Sequence, residues 1–116
     1  MTLTLLYQTH SPFARKALVF AYEAGLADQI TVVHHETSPV VRNETVFAQN
    51  PLGKVPVLLR DGKPPIFDSD VICAYLDGLH DGPPLTPRHG EERWRALQVQ
   101  AISKKINQHF IGMHFQ

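Results

Sequence analysis

Three short groups in this chain carry residue types that do chemistry at the ends of helices and strands. Ser11 stands before Pro12 at the head of a helical pattern. A serine there accepts a hydrogen bond from a first-turn backbone N–H and keeps its own O–H proton free to donate to an anion. Tyr7 and Thr9 carry further hydroxyls just upstream. Asp68-Ser69 opens another helical pattern, and the N-terminus of a helix attracts a carboxylate. Val55-Pro56 precedes the apolar run Val57, Leu58, Leu59. A proline cannot donate to a sheet ladder, so it belongs at the strand's first residue and leaves the Val55 backbone free. A cis bond there would turn the Val55 N–H and C=O outward to pair with an extended peptide, but X–Pro bonds are trans in all but about 5% of cases, and trans is the expectation. Each group also has an ordinary use. Ser11 reads as one helix cap, and Asp68 or Ser69 as another worth ~1 kcal/mol.

Other candidates are set aside by geometry. Among seven histidines only His34-His35 are adjacent, and neighbours on a strand point to opposite faces, so no metal site is expected. Cys73, between Ile72 and Ala74, reads as a small buried hydrophobe. As the single cysteine it excludes an internal disulfide and any Cys-x-x-Cys chemistry, and it fits a reducing compartment.

The elements that position these groups follow from periodicity and turn signals. Leu3, Leu5 and Leu6 mark a buried first strand, and Ala17, Leu18, Ala21 and Tyr22 continue the helix opened at Ser11 until Gly25. Ile30, Val32 and Val33 form a second strand, parallel to the first through the helical crossover. Residues 34–40 read as loop and residues 40–48 as one short helix, broken by Asn50-Pro51-Leu52-Gly53. Val57–Leu59 and Ile66-Phe67 are two strands around the hairpin signal Asp61-Gly62, with Pro64 and Pro65 between them. From Ser69 a helix carries Val71, Ile72, Tyr75, Leu76 and Leu79 until Asp81-Gly82-Pro83-Pro84 stops it. Residues 81–90 read as a linker, and a further helix from Glu91 carries Trp94, Leu97, Ala101, Ile102, Ile106 and Phe110 as an apolar stripe that needs a cover. The order describes an α/β chain, a thioredoxin-like βαβ-α-ββα fold with a mixed four-stranded sheet, followed by a linker and one amphipathic helix.

Composition narrows the class. The chain has 116 residues, of which 43% are apolar, and Lys+Arg and Asp+Glu number 11 each. That size suits one domain with an appendage, and the charge balance lacks the basic field that nucleic-acid binding needs. No apolar run approaches the ~20 residues of a membrane span, and the N-terminus has neither a basic n-region nor a cleavage site, so the cytoplasm is the expected location.

Ser11-Pro12-Phe13-Ala14-Arg15-Lys16, Asn50 through Leu58 and Phe67-Asp68-Ser69-Asp70-Val71-Ile72, in this order and spacing, resemble the N-terminal domain of a bacterial-type glutathione S-transferase. The resemblance implies a thioredoxin-like glutathione-binding domain over residues 1–80, a linker at 81–90, and, in 91–116, only the first helix of a helical second domain. It implies glutathione as co-substrate without a metal, and a homodimer. Ser11 falls where serine-type members place the hydroxyl that stabilises the glutathione thiolate, with Tyr7 the rival and Thr9 third. Asp68 and Ser69 fall where an acid meets the γ-glutamyl ammonium and a serine meets its carboxylate. Aspartate is one methylene shorter than the glutamate or glutamine of many members. Val55 falls on the peptide-pairing backbone, and Lys54 where a residue reaches the tripeptide's carboxylates. Arg42 is a further cation for the glycyl carboxylate, though a surface arginine is the simpler account; Arg15 and Lys16 read as a solvated or partner-facing pair. Because the electrophile site of the family lies between its two domains, a non-catalytic glutathione-binding or interaction module is the alternative to a transferase.

Overall fold

The computed structural model describes residues 3–35, 44–50 and 54–115. The chain divides into two compact units, Met1–Gly82 and Pro83–Gln116. The first opens with strand β1 (Leu3–Tyr7), helix α1 (Pro12–Glu23), a 3-10 turn at Ala27–Gln29 and strand β2 (Ile30–His34). Helix α2 (Glu44–Gln49), strands β3 (Val57–Arg60) and β4 (Lys63–Phe67), and helix α3 (Ser69–Asp77) complete it. The sheet order is β2-β1-β3-β4, with β1 parallel to β2 and antiparallel to β3, and β4 antiparallel to β3. This is the expected mixed sheet.

Leu3, Leu5 and Leu6 are all buried, because β1 is an inner strand whose two faces are both covered. They join Val57 and Leu58 of β3, Ile72 and Leu76 of α3, and Val46 of α2 in one core. The buried side of α1 consists of Ala14, Ala17 and Ala21. Side chains this small let α1 come close to α3, against which it packs.

Two helix ends show how local chemistry sets element length. At the end of α1, Gly25 takes φ +73°, its N–H bonds Tyr22 O at 3.1 Å, and the Leu26 N–H bonds Ala21 O at 2.9 Å. This is the Schellman arrangement, with Leu26 turned inward. Helix α3, expected to run to the Asp81–Pro84 turn, instead ends at Asp77 with Gly78 as its cap. His80 folds back so that its Nε2 lies 2.7 Å from Asp77 Oδ1, while its Nδ1 accepts the Gly82 N–H at 3.2 Å. That side-chain latch closes the helix before the prolines are reached.

The hairpin forms at Asp61-Gly62, where only Gly62 has positive φ, and the β3–β4 register shifts between Leu58 and Arg60. Strand β4 begins earlier than expected and includes Pro64 and Pro65, since an edge strand tolerates missing donors. The Arg60 guanidinium donates to Pro64 O at 3.1 and 2.7 Å.

The second unit holds helix α4 (Gly90–Phe115), whose Arg93 Nη1 donates to Pro87 O at 3.3 Å. Its apolar residues do not gather on one stripe. Trp94, Val99, Ile102 and Ile106 are exposed, and at ~100° per residue Arg95, Gln98 and Lys105 fall among them. No helix among the described residues is long and apolar enough to cross a membrane.

Candidate functional site at one end of the sheet

Register decides which groups meet. Leu6 pairs with Val57, and Val57 pairs with Phe67, so the last residue but one of β1, the first of β3 and the last of β4 lie side by side. Tyr7 pairs with His34, which adds the end of β2. The segments that follow or precede these residues, Gln8–Ser11, Lys54–Pro56 and Asp68-Ser69, therefore emerge at a single end of the sheet. Helices α1 and α3 both begin there, each with a partial positive charge at its N-terminus.

Ser11 is the N-cap of α1: its Oγ accepts the Ala14 N–H at 3.1 Å, and it is half-buried. Its hydroxyl proton is not needed for the cap. Tyr7 is buried, with its ring edge-on to His34 at 5.3 Å between centroids. The Tyr7 carbonyl accepts the His35 N–H at 2.8 Å, which ties the ends of β1 and β2 together. Thr9 sits exposed in the turn before α1.

The Val55–Pro56 bond is cis, against the trans expectation, which rested on the base rate of X–Pro bonds alone. Val55 and Pro56 are buried and lie outside the β1–β3 ladder, which ends at Val57. Lys54 is exposed, and its carbonyl accepts from Asn50 Nδ2 at 2.9 Å. Asn50 is only 2% exposed, and its amide fixes the Lys54 carbonyl. In the sequence Asn50-Pro51 marks a helix break and opens the family-like stretch, and neither signal shows that the Asn50 amide anchors the Lys54 carbonyl. Arg42 lies outside the described residues.

Asp68 caps α3, its Oδ2 accepting from the Asp70 N–H at 3.1 Å and the Val71 N–H at 3.4 Å. It does so at φ +75° and ψ 127°, a conformation that L residues rarely adopt and that accumulates at functional sites. Ser69, the first residue of the helix, is 2% exposed.

Lys16 departs from the solvated face expected of it. Its ammonium reaches across the seam to the Asp70 carboxylate and joins α1 to α3. Their separation of 54 positions hides the pair from any local pattern. Cys73 lies buried near this seam, and burial pushes its thiol up to about 11 although Lys16 acts in the opposite direction. It is therefore a packed, protonated thiol at neutral pH. Among the described residues no three His, Cys, Asp or Glu side chains gather where they could hold a metal ion.

Comparison with known proteins matches this frame. Residues 10–79 match the family model described as glutathione S-transferase, N-terminal domain. An uncharacterized GST-like protein, YibF, of Escherichia coli K12 is 33% identical over 96 residues, covering 83% of this chain and 46% of that protein. Glutathione S-transferase omega-1 of Sus scrofa is 30% identical over 95 residues, covering 82% of this chain and 38% of that protein. Among solved structures, a glutathione transferase family member from Pseudomonas fluorescens Pf-5 with bound glutathione superposes with TM-score 0.89 at 38% identity, covering 92% of this chain and 52% of that one. The chain thus spans about half the length of these relatives or less. With the family model covering most of the first unit, the chain belongs to the glutathione S-transferase family through its N-terminal, thioredoxin-like domain.

Proposed function

We propose that the sheet end formed by Ser11, Lys54, Val55, Asp68 and Ser69 binds glutathione, and that Ser11 stabilises its thiolate for conjugation to an electrophile. The observation that carries this reading is the register Leu6–Val57–Phe67, which collects three chain segments far apart in sequence at the start of two helices. The bound glutathione in the similar Pseudomonas structure supports the choice of ligand. In this reading the Val55 backbone pairs with the tripeptide's main chain, and the first turn of α3 takes the γ-glutamyl carboxylate at Ser69. Asp68 meets the ammonium while also serving as cap, and Lys54 reaches a carboxylate from the exposed rim.

A free thiol of pKa near 8.5 is only about 3% thiolate at pH 7. One hydrogen bond to the charged sulfur, worth roughly 1.5–3 kcal/mol, lowers that pKa by about one to two units. The half-exposed Ser11 hydroxyl is better placed to donate it than the buried Tyr7, and the N-terminus of α1 adds to the effect. The thiolate sulfur then forms a bond to the electrophilic carbon, and the leaving group departs with its electron pair.

Residues 1–80 serve in this reading as the glutathione-binding domain, 81–90 as linker, and 91–116 as the first helix of a helical domain. The exposed Trp94, Val99, Ile102 and Ile106 favour a partner surface there, including the other half of a cytoplasmic homodimer. The same exposure favours the second reading, a glutathione-binding interaction module without turnover.

Retention on immobilised glutathione, lost in Ser69→Ala, tests binding. A folded chain that is not retained refutes both readings. Release of chloride from a generic aryl chloride with glutathione, abolished in Ser11→Ala and kept in Tyr7→Phe, tests the chemistry. Retention without turnover selects the module.

A further inference from the structure

The start of α3 holds two acids, Asp68 at the cap and Asp70 in the first turn, on either side of Ser69. The N-terminus of a helix carries only about half a unit of positive charge, so two full negative charges at its cap and first turn work against a ligand carboxylate arriving there. Asp68 spends Oδ2 on two backbone N–H groups of that turn. Asp70 is met differently, by the Lys16 ammonium arriving from α1. The two side chains are 33% and 27% exposed, so water screens their charges only in part.

We infer that Lys16 is a positioning residue for the proposed glutathione site: it cancels the charge of Asp70 and so keeps the first turn of α3 attractive to a carboxylate. This rests on the binding reading above and adds a residue to it that acts through Asp70 rather than by contact with the ligand. The effect is electrostatic, which separates it from a strap that merely holds α1 to α3. A strap fails when either end is removed. A charge balance is restored when both charges are removed together.

The experiment is calorimetric titration of glutathione into the 116-residue chain and its Lys16→Met, Lys16→Arg, Asp70→Asn and Lys16→Met/Asp70→Asn variants, at low salt and at about 0.3 M salt. Lys16→Met binds roughly three- to tenfold more weakly at low salt, the range between screened and partly shielded unit charges, and the gap narrows at high salt. Lys16→Arg binds as the wild type. The double variant returns to within about twofold of the wild type, the signature of a coupled pair.

Unchanged binding by Lys16→Met, or a loss that Asp70→Asn fails to repair, overturns the inference. Should Lys16→Met not fold, Asp70→Asn alone decides: it binds at least as tightly as the wild type, and weaker binding refutes the charge balance. A wild type that binds no glutathione overturns the function proposed above and this inference with it. A binding wild type with an indifferent Lys16→Met removes this inference alone.

Discussion

Asp68 combines a helix cap with a backbone conformation that its own side chain disfavours, and two substitutions separate these contributions. At φ +75° and ψ 127° a residue with a Cβ carries roughly 1–3 kcal/mol of strain, whereas glycine takes positive φ freely. Asp68→Ala removes the carboxylate that accepts from Asp70 and Val71 but keeps the strained Cβ, so it loses the cap, about 1 kcal/mol. Asp68→Gly also loses the carboxylate, but glycine is a better N-cap than alanine and lies only a few tenths of a kcal/mol below aspartate. Glycine relieves the strain and adds about 0.5–1 kcal/mol of unfolded-state entropy. The balance leaves Asp68→Gly close to or above wild-type stability and Asp68→Ala below it, with a gap on the order of 1–3 kcal/mol. At ~4–8 °C per kcal/mol for a domain of this size, thermal melts followed by circular dichroism separate the two variants by at least about 4 °C. Both lose the acid proposed to meet the γ-glutamyl ammonium, so both show weaker retention on glutathione in spite of their opposite stabilities. Melting temperatures that coincide refute the strain at Asp68. Retention that follows stability instead of charge refutes the ligand role of its carboxylate.

Further outcomes follow from the packing. Ala17 is fully buried on the side of α1 that packs against α3, so Ala17→Leu overpacks it and costs ~1–3 kcal/mol in chemical denaturation. Burial raises the Cys73 thiol from 9.0 to about 11, so between those pH values the unfolded chain has released a proton that the folded chain retains. Stability therefore falls from pH 9 toward about 11, a slope that Cys73→Ala flattens in urea titrations at stepped pH. Gly25→Ala places a Cβ at φ +73° in the Schellman turn, and a thermal melt records a loss of about 1 kcal/mol.

What was legible in the sequence was mostly local. Gly25 marks the end of α1 because a left-handed residue must follow the helix, and Ser11-Pro12 marks its start for equally local reasons. The β1–β2 and β3–β4 neighbours follow from the short crossover and the Asp61-Gly62 hairpin, whereas the β1–β3 pairing that joins them is long-range and carries no local signal. The apolar spacing of residues 94–110 suggested a single stripe, but polar residues fall in the same sector and the stripe dissolves. Prolines 64 and 65 argued against a strand, and only the edge position of β4, a property of the whole sheet, makes them compatible with one. The early stop of α3 depends on a histidine returning to an aspartate three positions back, where composition suggested a turn four residues later. Lys16 and Asp70 meet only after α1 and α3 pack, and Asn50 anchors the Lys54 carbonyl through a side chain whose visible signal was a helix break. Candidate ligand groups could be named in advance because each sits at a cap or a strand start. Their convergence on one end of the sheet is a matter of register, which no short window of residues contains.

The prolines of β4 have a consequence for how this sheet meets other chains. Strand β4 is one of the two margins of the sheet, and at Pro64 and Pro65 its main chain has no hydrogen to offer. A foreign strand laid along that margin finds a broken row of donors, while the Pro64 carbonyl is already occupied by Arg60. Recruitment of an extra strand, the route by which open sheets polymerise, is thereby blunted on this side and left to the margin formed by β2.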